Sequence, residues 1–109
     1  MSTLSIDAVP RFARIVPDLP PFEPADALPL AAACRLRLVP GHDGRRLSED
    51  ELRTWATIGV CVVPGGPRYL FPALWDGDRR VTTLAWCAAW VEFVAAERRG
   101  ADATALEAS

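Results

Sequence analysis

The chain has 109 residues, room for one domain, and half of them are hydrophobic, enough for a modest core and too many for a disordered segment. Its formal net charge of −2 excludes a broadly basic nucleic-acid coat. Three cysteines far apart (Cys34, Cys61 and Cys87) and a single histidine, His42, argue against a disulfide framework and a tetrahedral zinc site. The thiols are expected to be reduced and buried, packing as small hydrophobes.

Charge is unevenly spread. Residues 33–80 hold eight arginines against six acids, and each flank is net negative. All twelve basic residues are arginine. A planar guanidinium suits bidentate contacts to phosphate or guanine, although a GC-rich genome produces the same bias with no function attached. The longest uncharged apolar run, Val81 to Val91, is about half a membrane span, and no signal-peptide pattern opens the chain. A soluble, cytoplasmic protein with no membrane partner is expected.

Six of the ten prolines fall before residue 30. Proline forbids regular helix and biases its predecessor to extended backbone, so residues 1–28 read as an N-terminal arm, either loose or wrapped over the domain. The folded unit is expected at 29–99, with 100–109 as a fraying tail. Pro29 fits the first turn of a short helix through Leu36. Pro40, Gly41 and Gly44 then break the chain. Ser48-Glu-Asp-Glu51 is a capping box. The helix it opens runs to about Ile58, with Leu52, Trp55, Ala56 and Gly59 on one face and Asp50, Arg53, Thr54 and Thr57 on the other. Tyr69-Leu-Phe71 and Arg79-Arg-Val-Thr82 read as short strands with Asp76-Gly-Asp78 as the turn. Thr82 or Thr83 can cap a last helix, which Arg98, Arg99 and Gly100 should end.

Two helices, a two-stranded wing and a closing helix make an α+β outline, and it resembles the small winged helix-turn-helix DNA-binding domains of the excisionase/MerR kind. Leu30-Ala-Ala-Ala33 looks like the family's first helix. Ser48, Leu52, Trp55 and Gly59 resemble its second, a Ser or Thr start followed by Leu, Trp and Gly. Asp76-Gly-Asp-Arg-Arg-Val-Thr-Thr83 sits where the family has a Gly-Gly-Arg wing turn before a capped helix. The approach from Pro40-Gly41 to Arg45-Arg46-Leu47 is similar to a bacterial branch of the group. The resemblance spans about 55 residues. It implies duplex DNA binding with no cofactor, by an accessory factor of a mobile element or a small transcriptional regulator. The link from Val39 to Leu47 is longer than in a tight helix-turn-helix, and Glu49, Asp50 and Glu51 put three carboxylates at the end that would approach DNA.

The candidate DNA-reading residues are Arg53, Thr54 and Thr57, polar side chains on one exposed helix face. Arg79 and Arg80 on the wing are candidates for the flanking backbone or minor groove. Arg45 and Arg46 precede the capping box, where free helix amides favour anions. On the last helix, Leu84, Cys87, Ala88, Val91 and Val94 form one apolar stripe and Trp86, Trp90 and Phe93 a second beside it. The second stripe is either covered by the Pro-rich arm or an interface for a homo-oligomer or protein partner. That opens two other readings, an interaction adaptor on the same fold and a small non-catalytic subunit of a larger complex. No phosphate loop, His–Cys dyad or ordered carboxylate pair accompanies His42, so no catalytic residue is expected.

Overall fold

Where prolines crowd the first third of the chain, backbone pairing is confined to two- and three-residue strands, and longer elements begin only after Pro29. The computed structural model describes residues 4–5, 12–41 and 45–108. In chain order these form β1 (Leu4–Ser5), β2 (Ala13–Ile15), a 3-10 turn (Pro24–Asp26), β3 (Leu28–Pro29), α1 (Leu30–Arg35), α2 (Glu49–Thr57), β4 (Val60–Cys61), β5 (Arg68–Leu70), β6 (Leu74–Asp76), β7 (Arg79–Thr82) and α3 (Leu84–Ala108). The described residues make a small α+β domain of three helices and two small sheets. One sheet is antiparallel in the order β1-β6-β7-β3; the other runs β2-β5-β4, with β2 parallel to β5.

The first 28 residues therefore do not form a separate arm. Leu4 pairs with Asp76, Ala13 with Arg68 and Leu28 with Thr82, so this segment supplies strands to both sheets. Pro29, which cannot donate to a ladder, sits on the edge strand, where the missing amide costs least. Nor does the last helix end at Arg98, Arg99 and Gly100, since α3 continues to Ala108. The wing is built differently as well. Its two strands are β6 and β7, with Asp76 opposite Arg79. Gly77 takes φ +65°, as the first residue of a two-residue hairpin turn requires. Tyr69-Leu-Phe71 belongs instead to the other sheet, where Tyr69 faces Val60 and Arg14. Pro72 ends that strand, and its carbonyl accepts a hydrogen bond from Thr82 Oγ1 at 2.9 Å that ties the two sheets together.

Local signals set the helices. At the start of α2 the Glu51 amide donates to Ser48 Oγ (3.1 Å), and the Ser48 hydroxyl donates to Glu51 Oε1 (3.3 Å). The helix ends at Ile58, before Gly59 at φ +88°, where a Cβ would press on the Tyr69 carbonyl at 3.1 Å. That stop orphans the Trp55 carbonyl, and the Phe71 amide satisfies it at 3.0 Å. The Thr83 hydroxyl caps α3 by accepting from the Trp86 amide (3.1 Å). Helix α1 closes in a Schellman turn: the Leu38 amide donates to the Ala33 carbonyl (3.0 Å) and the Arg37 amide to Cys34 (3.1 Å). The residue this turn holds in left-handed backbone is Arg37, at φ 56°, where glycine is usual.

The two stripes of α3 are buried unequally: Cys87 of the first is buried and Val94 packs on the core, but the rest of that stripe is exposed. Leu84 is 55% exposed, Val91 37%, and Ala88 is exposed too, whereas Trp86 and Trp90 keep only 8% and 2%. Each aromatic ring removes more apolar area from water than an aliphatic side chain, so the aromatic row faces inward. Trp90 packs against Trp55 (centroids 6.2 Å), Phe71 (5.5 Å) and Phe93 (6.5 Å), and Phe93 meets Tyr69 edge-on at 4.6 Å. Trp86 is covered by the N-terminal segment: Phe22 stands against its ring at 5.0 Å, and its Nε1–H donates to the Pro20 carbonyl at 2.7 Å. Cover from residues 1–28 is thus the arrangement found for Trp86. Cys34 and Cys87 are buried in the same core, and Cys61 is half-buried. Burial pushes the Cys87 thiol up to about 11, against a hydrogen bond with Thr82 that opposes the shift.

Trp86→Ala should lower unfolding free energy by about 3–5 kcal/mol, and removal of residues 1–28 should lower Tm and increase aggregation by uncovering the same ring. An unchanged Tm in the truncated chain would contradict the cover. Arg37→Gly should raise stability by about 0.5–1 kcal/mol, the left-handed backbone cost less the glycine entropy; a fall on denaturant unfolding would show that the Arg37 side chain contributes more than its backbone costs.

Candidate nucleic-acid interface

Helix α2 buries Leu52, Trp55 and Ala56 and leaves Arg53, Thr54 and Thr57 exposed. The arginine is already engaged. One terminal nitrogen of Arg53 lies 2.9 Å from Glu49 Oε1 and the other 3.3 Å from Asp50 Oδ1. These are exposed pairs, of the kind worth about 0–1 kcal/mol, so a phosphate or base edge can displace them at small cost. Thr54 Oγ1 donates to the Asp50 carbonyl (3.0 Å) and Thr57 Oγ1 to the Arg53 carbonyl (2.8 Å). Both hydroxyl protons thus turn back onto the helix, leaving lone pairs and methyl groups outward.

On the hairpin, the two candidate arginines differ in exposure. Arg79 is exposed, while Arg80 is 9% exposed, with its guanidinium 4.6 Å from the centre of the Trp75 ring, the residue paired with it across the strands. Burial lowers the Arg80 pKa below the usual guanidinium value. The helix and hairpin nevertheless converge. A cleft of about 250 Å³ is lined by Arg53 and Glu49 from α2 and by Trp75, Asp78, Arg79 and Arg80 from the hairpin.

Arg45 and Arg46 are exposed and lie at a different cleft, of about 260 Å³, together with Arg37 and the buried Cys34. Burial raises the Cys34 thiol pKa; Glu49 and Glu51 add to the rise and Arg46 opposes it, so Arg46 and the acidic first turn of α2 act on the same point. Arg37 was not among the sequence candidates. Its one signal is an arginine directly after a short helix, in the position glycine normally takes.

The remaining candidates fall away from any surface of this kind. Trp86 and Trp90 are buried and Phe93 is half-buried, so the three do not present an exposed partner interface. His42 lies outside the described residues. Among the described residues, no group of three or more His, Cys, Asp or Glu side chains could hold a metal ion, and no helix is long and apolar enough to cross a membrane. No family model, curated protein or solved structure matches the chain.

The opposite settings of the two hairpin arginines give a direct contrast. Arg79→Ala should change stability by less than about 0.5 kcal/mol. Arg80→Ala should cost about 2 kcal/mol through the lost stacking and stem packing, and Arg80→Met should recover most of it. Equal effects of the two alanine substitutions in urea unfolding would contradict the burial of Arg80.

Proposed function

We propose that this chain is a winged helix-turn-helix domain of the excisionase/MerR kind that binds duplex DNA without a cofactor, as an accessory factor of a mobile element or a small transcriptional regulator. The observation that carries the reading is the cleft joining Arg53 of α2 to Arg79 and Arg80 of the β6–β7 hairpin. In such a domain the second helix enters the major groove and the wing lies along the neighbouring backbone. The element order supports it: α1, α2, a hairpin, then a closing helix capped by Thr83. The pair β4 and β5 is an addition between α2 and the wing.

Each residue has a role within this reading. Arg53 exchanges Glu49 and Asp50 for the DNA. Thr54 and Thr57 offer acceptor lone pairs and methyl groups to base edges. Arg79 holds a phosphate. Arg80, buried on Trp75, fixes the shape of the wing rather than gripping the backbone. The acids at 49–51 weaken general attraction to phosphate, which fits a net charge of −2 and leaves specific contacts to supply the discrimination. The adaptor reading drew on the acidic balance and on the aromatic stripe of α3, and the small-subunit reading on the stripe; burial of Trp86 and Trp90 withdraws the stripe and leaves the net charge of −2.

Fluorescence anisotropy with genomic and random duplexes at about 50 mM and about 200 mM salt tests the proposal. Arg79→Ala should weaken all duplexes alike and reduce the salt slope by about one unit. Arg53→Ala should cost about 1–3 kcal/mol on the preferred site and little on random DNA. Glu49→Gln with Asp50→Asn should strengthen binding severalfold by releasing Arg53 and removing two like charges. Absence of duplex binding by the wild-type chain at about 50 mM salt, where attraction is least screened, would end the DNA reading.

A further inference from the structure

A second cleft, of about 170 Å³, shares no residue with the α2–hairpin cleft. Trp55 and Trp90, 9% and 2% exposed, form its floor. Val60 and Val62 line it from the strand side and Val94 from α3. Arg98 stands at its rim, exposed to solvent. The helix brings these groups to one face, because Trp90, Val94 and Arg98 are four residues apart. Arg98 Nε donates to the Val62 carbonyl at 3.2 Å, which anchors the guanidinium across the opening. Among the described residues, its two terminal nitrogens have no hydrogen-bond partner and no carboxylate lines the cleft.

Volume and lining together narrow the ligand. A volume of this order is enough for a benzene-sized molecule. Most small-molecule sites combine such an apolar wall with a few placed polar groups that orient the guest. Here the wall includes two tryptophan rings, suited to offset or edge-on contact with another aromatic ring. The polar group is one anchored guanidinium, whose fork matches a carboxylate.

We propose that this cleft binds a monocyclic aromatic carboxylate, with the ring on Trp55 and Trp90 and the carboxylate on Arg98. The site shares no lining residue with the proposed DNA surface. An aliphatic acid lacks the ring and a neutral aromatic lacks the charge, so each should bind less well than the molecule that has both.

The test titrates benzoate, benzyl alcohol and acetate into the full chain. The readouts are tryptophan fluorescence and the NMR shifts of the Trp55 and Trp90 indole N–H groups. Benzoate should give a saturable response, about tenfold or more tighter than benzyl alcohol, and acetate none; a charge-assisted hydrogen-bonded pair supplies that factor. Arg98→Gln, a surface change that keeps the fold, should bring benzoate to the level of benzyl alcohol. Val94→Trp should fill the cleft and abolish both responses. The proposal is overturned if benzoate gives no response or if Arg98→Gln leaves its affinity unchanged. It is equally overturned if sedimentation shows concentration-dependent self-association that Val94→Trp removes, which would assign the cleft to a second copy of the chain.

Discussion

The row Trp86, Trp90 and Phe93 on α3 is the contact on which the rest of the molecule depends. Trp90 alone meets Trp55 of α2 and Phe71 just after β5, and Phe93 meets Tyr69 within that strand. Trp86 holds the N-terminal segment through Phe22 and the Pro20 carbonyl. One helix face therefore fixes α2, the mixed sheet β2-β5-β4 and the proline-rich start of the chain at once. The second sheet is drawn in through Thr82 and the Pro72 carbonyl. Burying several aromatic side chains contributes several kcal/mol of apolar transfer, a large part of the margin that a chain of this size has.

Much of the local structure was legible because it depends on neighbours in sequence. The Ser48–Glu51 cap, the Leu52–Trp55–Ala56 face, the glycine turn at Gly77 and the Thr83 cap each involve residues no more than four apart. What was hidden depends on distant partners. The strands of the N-terminal segment pair with residues more than fifty positions away, and a strand of two or three residues has no period of its own to reveal it. The choice between the two stripes of α3 was equally non-local, since both have helical spacing and only the presence of Phe22 and Pro20 settles how Trp86 is covered.

The candidate site divides the same way. That Arg53, Thr54 and Thr57 share an exposed face follows from helical periodicity. The burial of Arg80 and its stacking on Trp75 depend on the true hairpin partner, β6, in place of Tyr69-Leu-Phe71. Arg37 reaches the cleft of Arg45 and Arg46 only because α1 ends in a left-handed turn, which no helical pattern announces. Non-glycine residues held in such backbone are uncommon, and they direct attention to what the side chain does.

The functional account rests on α2 and the β6–β7 hairpin presenting one continuous surface to DNA. Amide shift mapping by NMR, with a duplex added to the labelled chain at low salt, tests this most directly. The account predicts perturbations concentrated at residues 49–57 and 75–80, on both sides of the cleft, with the α3 aromatic row unmoved. Shifts confined to one of the two elements, or gathered around α3 instead, would contradict it.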